Sequence, residues 1–165
     1  MAARTLTPLP LTRERFAPYG DVIDASQIDA QAMNDRRFER FDDLCKIDAG
    51  DGRVRVSITT SRTATELPYM IDLVERHPLG TQAFVPLSPC KMIVVVGPAG
   101  ETIDDDDLVA FETNHHQGVN YARGTWHMPL IAFESGQRYL IIDRAGDEPN
   151  CDEHVLDEPV LLTSA

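Results

Sequence analysis

The sequence predicts an all-β protein with a few short helices, folded as a sandwich or barrel. From Arg53 onward, short runs rich in β-branched residues are separated by Gly, Pro, Asp or Asn at intervals of about ten residues. The chain has 165 residues, and 42% of them are apolar, which is enough for one sizeable core. Since the sequence contains neither an internal repeat nor a linker rich in Ser or Gly, we expect residues 1–165 to form a single domain.

Only one helix is predicted before the strands begin. Thr12 is suited to cap its N-terminus, and Pro18 and Gly20 end it. The β-branched runs then predict strands at Arg53–Thr60, Gln82–Leu87, Lys91–Val96, Leu108–Glu112, Leu130–Phe133 and Arg138–Ile142. The four acids of Asp104–Asp107 are interpreted as a solvated turn, and the acidic, Pro-containing segment Asp147–Ala165 as a surface arm.

The segment from Tyr69 to His77 fits both a strand and a helix by periodicity. The Pro78 and Gly80 that follow it favour a strand. In a strand, alternation places five side chains on one face: Tyr69, Ile71, Leu73, Glu75 and His77. Burying Glu75 and His77 on an apolar face costs free energy unless they are paired or bind a metal, so this segment is a candidate site.

Charge and cysteine usage narrow the classes of partner. The chain carries 15 Lys and Arg against 27 Asp and Glu, a net charge of -12, which repels nucleic acid and anionic lipid surfaces. Its longest apolar run, Met92–Val96, is too short for a membrane helix, and the N-terminus lacks the apolar core of a signal peptide. Three widely spaced cysteines are typical of free thiols in a reducing compartment. These features predict a cytoplasmic protein with a small-molecule ligand.

A second segment, His115–Leu130, is also a candidate for chemistry. It contains the only Trp, three of the five His and an Asn-Tyr pair, around two glycines. Aromatic rings exclude water and polar groups orient a ligand, so this mixture is typical of a binding wall. Core packing is an equal alternative for Tyr121 and Trp126.

Together the two segments resemble the paired metal motifs of the cupin superfamily. Glu75-x-His77 stands at the position of the first motif's His-x-His pair, and Gln82 stands where Glu is usual. Ala122-x-Gly124-x-x-His127 is similar to the second motif, with Ala in place of Pro. The resemblance implies a cupin-like double-stranded β-helix, or jelly-roll barrel, and a divalent metal held by Glu75, His77, Gln82 and His127.

A closer resemblance is to the ureidoglycolate lyase family, formerly called ureidoglycolate hydrolases. The sequence that runs from Glu75 to Phe84, ERHPLGTQAF, looks like the family's first hallmark, and QGVNY at Gln117–Tyr121 with G-x-WH-x-PL at Gly124–Leu130 looks like its second. The beginning (Phe16-x-x-Tyr19-Gly20-Asp21) and the ending (Asp143-Arg144 with Asn150-Cys151) also match. Ala122 and Met128 stand where the family commonly has histidine.

The family implies cleavage of ureidoglycolate to glyoxylate and urea by a homodimer without an organic cofactor. His77, His127 and Glu75 are the expected catalytic residues, and nickel is the favoured metal among borderline divalent ions. The expected substrate-binding residues are Gln82, Asn120, Tyr121, Trp126 and Lys91. Arg123 and Arg138 are further candidates for the substrate carboxylate.

Three alternatives remain open at this point. The histidines could be no more than hydrogen-bonded side chains inside a barrel. The protein could be an amidohydrolase that releases ammonia from the same substrate. It could also be a non-catalytic cupin that binds a small acid, because fold alone does not confer function.

Overall fold

Strands are the main regular structure in the computed structural model, which describes residues 4–165; the first three residues of the predicted domain lie outside it. One helical turn, α1, spans Arg13–Phe16, and a 3-10 turn spans Asp105–Asp107. The fourteen strands are β1 (Thr5–Leu6), β2 (Leu9–Pro10), β3 (Gly20–Ile23), β4 (Gln31–Met33), β5 (Phe38–Arg40), β6 (Arg53–Thr60), β7 (Tyr69–Arg76), β8 (Gln82–Pro86), β9 (Ile93–Ala99), β10 (Val109–Glu112), β11 (Gly118–Tyr121), β12 (Thr125–His127), β13 (Arg138–Ala145) and β14 (Asp152–Leu162).

These strands form two large sheets and one separate hairpin. The seven-stranded sheet has the order β1-β14-β7-β12-β9-β10-β2, and the five-stranded sheet has the order β3-β11-β8-β13-β6. The hairpin consists of β4 and β5. Neighbours within each large sheet are mostly distant in sequence, so the sheets are built by crossing connections, as in a jelly roll.

Strand β9 lies between two hydrophobic cores. Val94 and Val96 face the five-stranded sheet, where they join a cluster with Phe84, Val119 and Tyr121. The alternate residues of β9 join a second cluster, enclosed by the curl of the seven-stranded sheet and completed by strands β1 and β14. An uninterrupted apolar run is expected of a strand that is buried on both faces. The predicted all-β, cupin-like barrel is confirmed.

The C-terminal segment is part of the barrel, which corrects the prediction of a surface arm. Strand β14 pairs along β7, from Asp152 opposite Arg76 to Leu162 opposite Tyr69. Its apolar residues are spaced irregularly because the pairing with β7 shifts between Val155 and Val160. This irregularity hid the strand from a period-two search. The predicted strand at Leu130–Phe133 is also wrong, since this stretch follows Pro129 as an irregular connection.

The same shift in pairing alters the predicted faces of β7. Ile71 and Val74 both pack in the core that the seven-stranded sheet encloses, with Tyr69 against its edge. Because neighbouring side chains of a strand alternate, Glu75 then faces the opposite side from Val74. The prediction that Tyr69 and Ile71 share a face with Glu75 is therefore wrong, although the strand itself is confirmed.

The two short helical segments are both capped by side chains, and the cap that the sequence predicted, Thr12, is confirmed. Thr12 precedes α1, and its hydroxyl accepts a hydrogen bond from the backbone N–H of Arg15 at 3.3 Å. Asp104 caps the 3-10 turn in the same way, through the backbone N–H of Asp106. No helix among residues 4–165 has the length and apolar composition needed to cross a membrane.

The burial of β14 gives a test of its place in the core. Leu162 is fully buried, so Leu162→Ala should lower the free energy of unfolding by about 2–5 kcal/mol in denaturant titration. Leu9 is half exposed on an edge strand, and Leu9→Ala should change that free energy by less than about 0.5 kcal/mol. Equal effects of the two substitutions would contradict a core position for β14.

Candidate active site

Strands β7 and β12 place Glu75 and His127 side by side. The two residues are paired in register, and Glu75 Oε1 lies 3.5 Å from His127 Nε2. The side chain of His127 is 2% exposed and that of Glu75 is 23% exposed, so the carboxylate connects a buried imidazole to the space between the sheets. His77, just beyond the end of β7, completes the cluster, with its Nε2 3.9 Å from Glu75 Oε1.

Local backbone contacts fix the position of His77. Its carbonyl accepts a hydrogen bond from the backbone N–H of Gly124, in the turn that enters β12, at 2.9 Å. Gly124 has φ +77°, a conformation that glycine adopts without strain. The side-chain oxygen of Asn150 accepts a hydrogen bond from the backbone N–H of Leu79 at 2.7 Å. The two histidines are therefore held by one connected set of turns.

The tautomers of both histidines follow from their Nδ1 contacts. His77 Nδ1 lies 2.7 Å from the carbonyl oxygen of Asn150, and His127 Nδ1 lies 2.9 Å from that of Thr125. A carbonyl oxygen only accepts hydrogen bonds, so in both imidazoles Nδ1 carries the proton. Each Nε2 then presents a lone pair to the shared space beside Glu75.

The atoms that meet in this space are all acceptors. His77 Nε2, His127 Nε2 and Gln82 Oε1 are buried and have no hydrogen-bond partner among the described residues. One atom each from Glu75, His77 and His127 falls within 4.8 Å of the others, which is close enough for one ion to bind all three. The lone pairs of neighbouring acceptors repel one another, and a cation bound between them would attract them all. The residues present fit a divalent metal.

Burial and neighbouring groups set the charge states of the cluster. When His127 is protonated, its hydrogen bond lowers the pKa of Glu75 and outweighs the opposing effect of burial, so the carboxylate is already ionised while the imidazole still carries its extra proton. Burial lowers the pKa of His127, which keeps its imidazole neutral and able to act as a ligand. Burial, and then the charge of Glu75, raises the pKa of Tyr121, so that its hydroxyl stays protonated at neutral pH.

The five-stranded sheet contributes Gln82 and Tyr121 from the opposite side of the space. The two residues are paired in register between β8 and β11. The ring of Tyr121 stacks on His127 with centroids 4.1 Å apart and an interplanar angle of 16°. Gln82 lines a cavity of about 530 Å³ together with His77. Of the predicted substrate-binding residues, these two lie in the site.

Three other predicted residues lie elsewhere. Trp126 packs in the core on the opposite side of β12 from His127, with the Arg76 guanidinium 5.2 Å from the centre of its ring. Asn120 points away from Tyr121, and its amide donates to Asp21 and to the carbonyl of Lys46.

Lys91 forms an ion pair with Glu112 at 2.8 Å. It precedes Val96, which pairs with His127, by five residues or about 16 Å of extended chain. The sequence segments containing Trp126, Asn120 and Lys91 are adjacent to the site, but the pleat or the length of the strand directs these side chains away from it.

Two cavities border the cluster. The first is lined by residues of β6, β8 and β13 with His77, and the second, of about 400 Å³, by other residues of the same three strands with Glu75. The residues that line the two cavities are two positions apart in sequence, with Glu75 and His77 at the end of β7 and Gln82 and Phe84 on β8. Two side chains of the cluster, Glu75 and His77, therefore line one cavity each.

Sequence reasoning missed Cys151, Arg53 and Arg55 as residues of this site. Cys151 Sγ lies 3.7 Å from Glu75 Oε2, and burial and nearby carboxylates raise the pKa of the thiol to about 11, so it remains a donor. The resemblance had included Cys151 in the family's ending, but no spacing linked it to Glu75. Arg53 and Arg55 line the larger cavity. In the sequence, the alternation of these arginines with Val54 and Val56 predicted a strand, but it did not show that the arginines face the cavity.

Comparison with known proteins agrees with this site. The sequence profile of the ureidoglycolate lyase family matches residues 3–163. A ureidoglycolate lyase of Burkholderia mallei is 46% identical over 162 residues, covering 97% of this chain and 94% of that protein. A ureidoglycolate lyase of Pseudomonas entomophila is 40% identical over 160 residues, with 96% of each chain covered. This chain belongs to the ureidoglycolate lyase family.

Proposed function

We propose that this protein is a carbon-nitrogen lyase that cleaves ureidoglycolate to glyoxylate and urea. The observation that carries the proposal is the cluster of three ligand atoms, one each from Glu75, His77 and His127, with the unpartnered side-chain oxygen of Gln82 lining the same cavity as His77. The substrate is inferred from the names of the relatives, which are ureidoglycolate lyases. The cluster is where the hydroxyl group of that substrate would be polarised. The protein acts as a single cytoplasmic domain, which the three free cysteines support.

The reaction requires one proton to leave an oxygen and one to reach a nitrogen. Ureidoglycolate is a hemiaminal, so loss of the hydroxyl proton lets the C–O bond become C=O while the C–N bond breaks. The electron pair of the C–N bond leaves with the ureido nitrogen, which takes up a proton to give urea. No water is consumed, and the atoms of substrate and products balance.

The ionised Glu75 is the proton carrier in this proposal. Its carboxylate accepts the hydroxyl proton and returns it to the departing nitrogen, and its lowered pKa makes it a good donor in the second step. Tyr121 stays protonated and cannot accept the proton at neutral pH. The Nε2 lone pairs of His77 and His127, beside Glu75, would hold a cation, and that cation would supply the attraction that keeps the reacting hydroxyl near the carboxylate.

Glu75, His77, Gln82 and His127 would hold the metal, for which nickel is our choice among divalent ions that favour imidazole and oxygen ligands. When bound, a divalent metal lowers the pKa of the substrate hydroxyl. Cys151 holds the second carboxylate oxygen of Glu75, so that Oε1 remains directed between the two imidazoles.

Product analysis of purified protein tests the reaction. We expect stoichiometric urea and glyoxylate from ureidoglycolate, and His127→Ala should lower kcat/KM by about 100-fold or more. His116→Ala, at an exposed position, should leave the rate unchanged. Ammonia without urea would instead support the amidohydrolase, and an absence of turnover the non-catalytic cupin. Full activity of His127→Ala would refute the proposed site.

Metal binding is tested separately from activity. Elemental analysis of untagged protein should find about one nickel per chain, and a chelator should lower the melting temperature, because a ligand that binds only the folded state stabilises it. Both the metal content and the chelator effect should disappear in His77→Ala and persist in His116→Ala. If chelation shifts neither protein, the acceptor cluster is not a metal site.

We also propose that the chain forms a homodimer through the edge strand β6. This strand turns Val54, Val56 and Ile58 outward, with 50–64% of each exposed. An eight-residue edge strand with an apolar outer face is suited to pairing with another chain.

Light scattering after gel filtration should give twice the chain mass of 18.4 kDa. Val56→Arg should shift the protein toward the monomer, because a charge at the centre of an apolar interface is costly. Val155→Arg is the matched control at an exposed valine of β14, and it should leave the dimer intact. A wild-type monomer, or equal effects of both variants, would refute this interface.

A further inference from the structure

We infer that Arg53, on the edge strand β6, binds the carboxylate of the substrate in the larger cavity and so sets the direction in which the substrate lies. The inference rests on the proposed function and deepens it. The sequence had suggested Lys91, Arg123 and Arg138 for this carboxylate, and none of the three lines the cavity.

Alternation along β6 places its two arginines on the cavity side. Val54, Val56 and Ile58 are exposed on the outer face, whereas Arg53 and Arg55 line the cavity with His77 and Gln82. A single cavity therefore has guanidinium groups at one wall and two of the acceptor side chains, His77 and Gln82, at another. A 2-hydroxy acid needs both, since its carboxylate and its hydroxyl are attached to neighbouring carbon atoms.

The other arginines of this cavity are already engaged. Arg55 donates two parallel hydrogen bonds of 2.9 Å to the carboxylate of Asp143. Arg144 is buried, and it donates to the carbonyl of Ala49 and to the carboxylates of Asp51 and Glu148. These ion pairs neutralise three of the acidic groups around the cavity.

Arg53 is the available cation. Among residues 4–165 it has neither a hydrogen-bond nor an ion-pair partner, although the chain as a whole carries a net charge of -12. Asp147 is the remaining carboxylate of the cavity wall, and because both it and Arg53 are exposed, solvent weakens any attraction between the two. A guanidinium matches a carboxylate with two parallel hydrogen bonds, which gives direction as well as affinity.

The rim that carries Arg53 is rigidly built. A Cβ placed on Gly52 would lie 2.6 Å from the carbonyl oxygen of Ala145 and 2.7 Å from Arg144 Nε, so this close approach requires glycine. Arg144 also donates hydrogen bonds to Ala49 and Asp51 in the loop that leads into β6. The second, smaller cavity, lined by Thr59, Ser61 and Thr65, is left for the ureido group.

The test compares Arg53→Gln with Arg36→Gln, a matched change at an exposed arginine between β4 and β5. Arg53→Gln should raise KM for ureidoglycolate by about 10-fold or more and change kcat by less than about threefold, because it removes binding common to ground state and transition state. Inhibition by glycolate should weaken by the same factor, and inhibition by urea should not change. Arg53→Lys should fall between wild type and Arg53→Gln, and Arg36→Gln should match wild type.

Direct binding separates this inference from the proposed function. Glycolate binding to each variant, followed by calorimetry, needs no turnover, so it tests the carboxylate site even if the wild type fails to cleave ureidoglycolate. Weaker glycolate binding in Arg53→Gln alone supports the inference. Unchanged glycolate affinity in Arg53→Gln, or an equal loss in Arg36→Gln, overturns it whatever the activity of the wild type.

Discussion

Two imidazoles determine how the rest of this site works, because the Nδ1–H of each donates a hydrogen bond to a backbone carbonyl. Those contacts, to Asn150 and Thr125, force both Nε2 lone pairs toward the same carboxylate oxygen. The resulting group of unpartnered acceptors destabilises the folded protein, and binding of a cation would offset that cost. The neutral state of His127, the ionised state of Glu75 and the protonated state of Tyr121 all follow from the same crowded, partly dry space.

Sequence spacing predicted the central residues because both histidines lie beside local backbone signals. Pro78 and Gly80 follow His77, and Gly124 precedes His127, so each imidazole is attached to a turn whose geometry the sequence specifies. Strand patterning likewise identified β6, β7, β8, β9, β10 and β13, but it missed the other strands, including the short β11 and β12 that carry Tyr121 and His127. Both kinds of information are local, and they are sufficient where one strand and its adjoining turn decide the geometry.

Features that depend on pairing between distant strands were not predictable in this way. The shift in pairing between β7 and β14 hid the last strand and changed the faces of Tyr69 and Ile71. Cys151 reaches Glu75 only because β14 begins beside the end of β7. Trp126 and Asn120 lie in the right segments, but each is directly next to a residue that faces the site, so the pleat turns it away.

The three-residue strand β12 has a consequence for how this protein tolerates change. Its alternating side chains serve two compartments, since Trp126 fills the enclosed core and His127 faces the cavity. Insertion or deletion of one residue between Gly124 and His127 would exchange the compartments, moving the indole into the cavity and the imidazole into hydrocarbon. The length of this short stretch is therefore fixed by geometry.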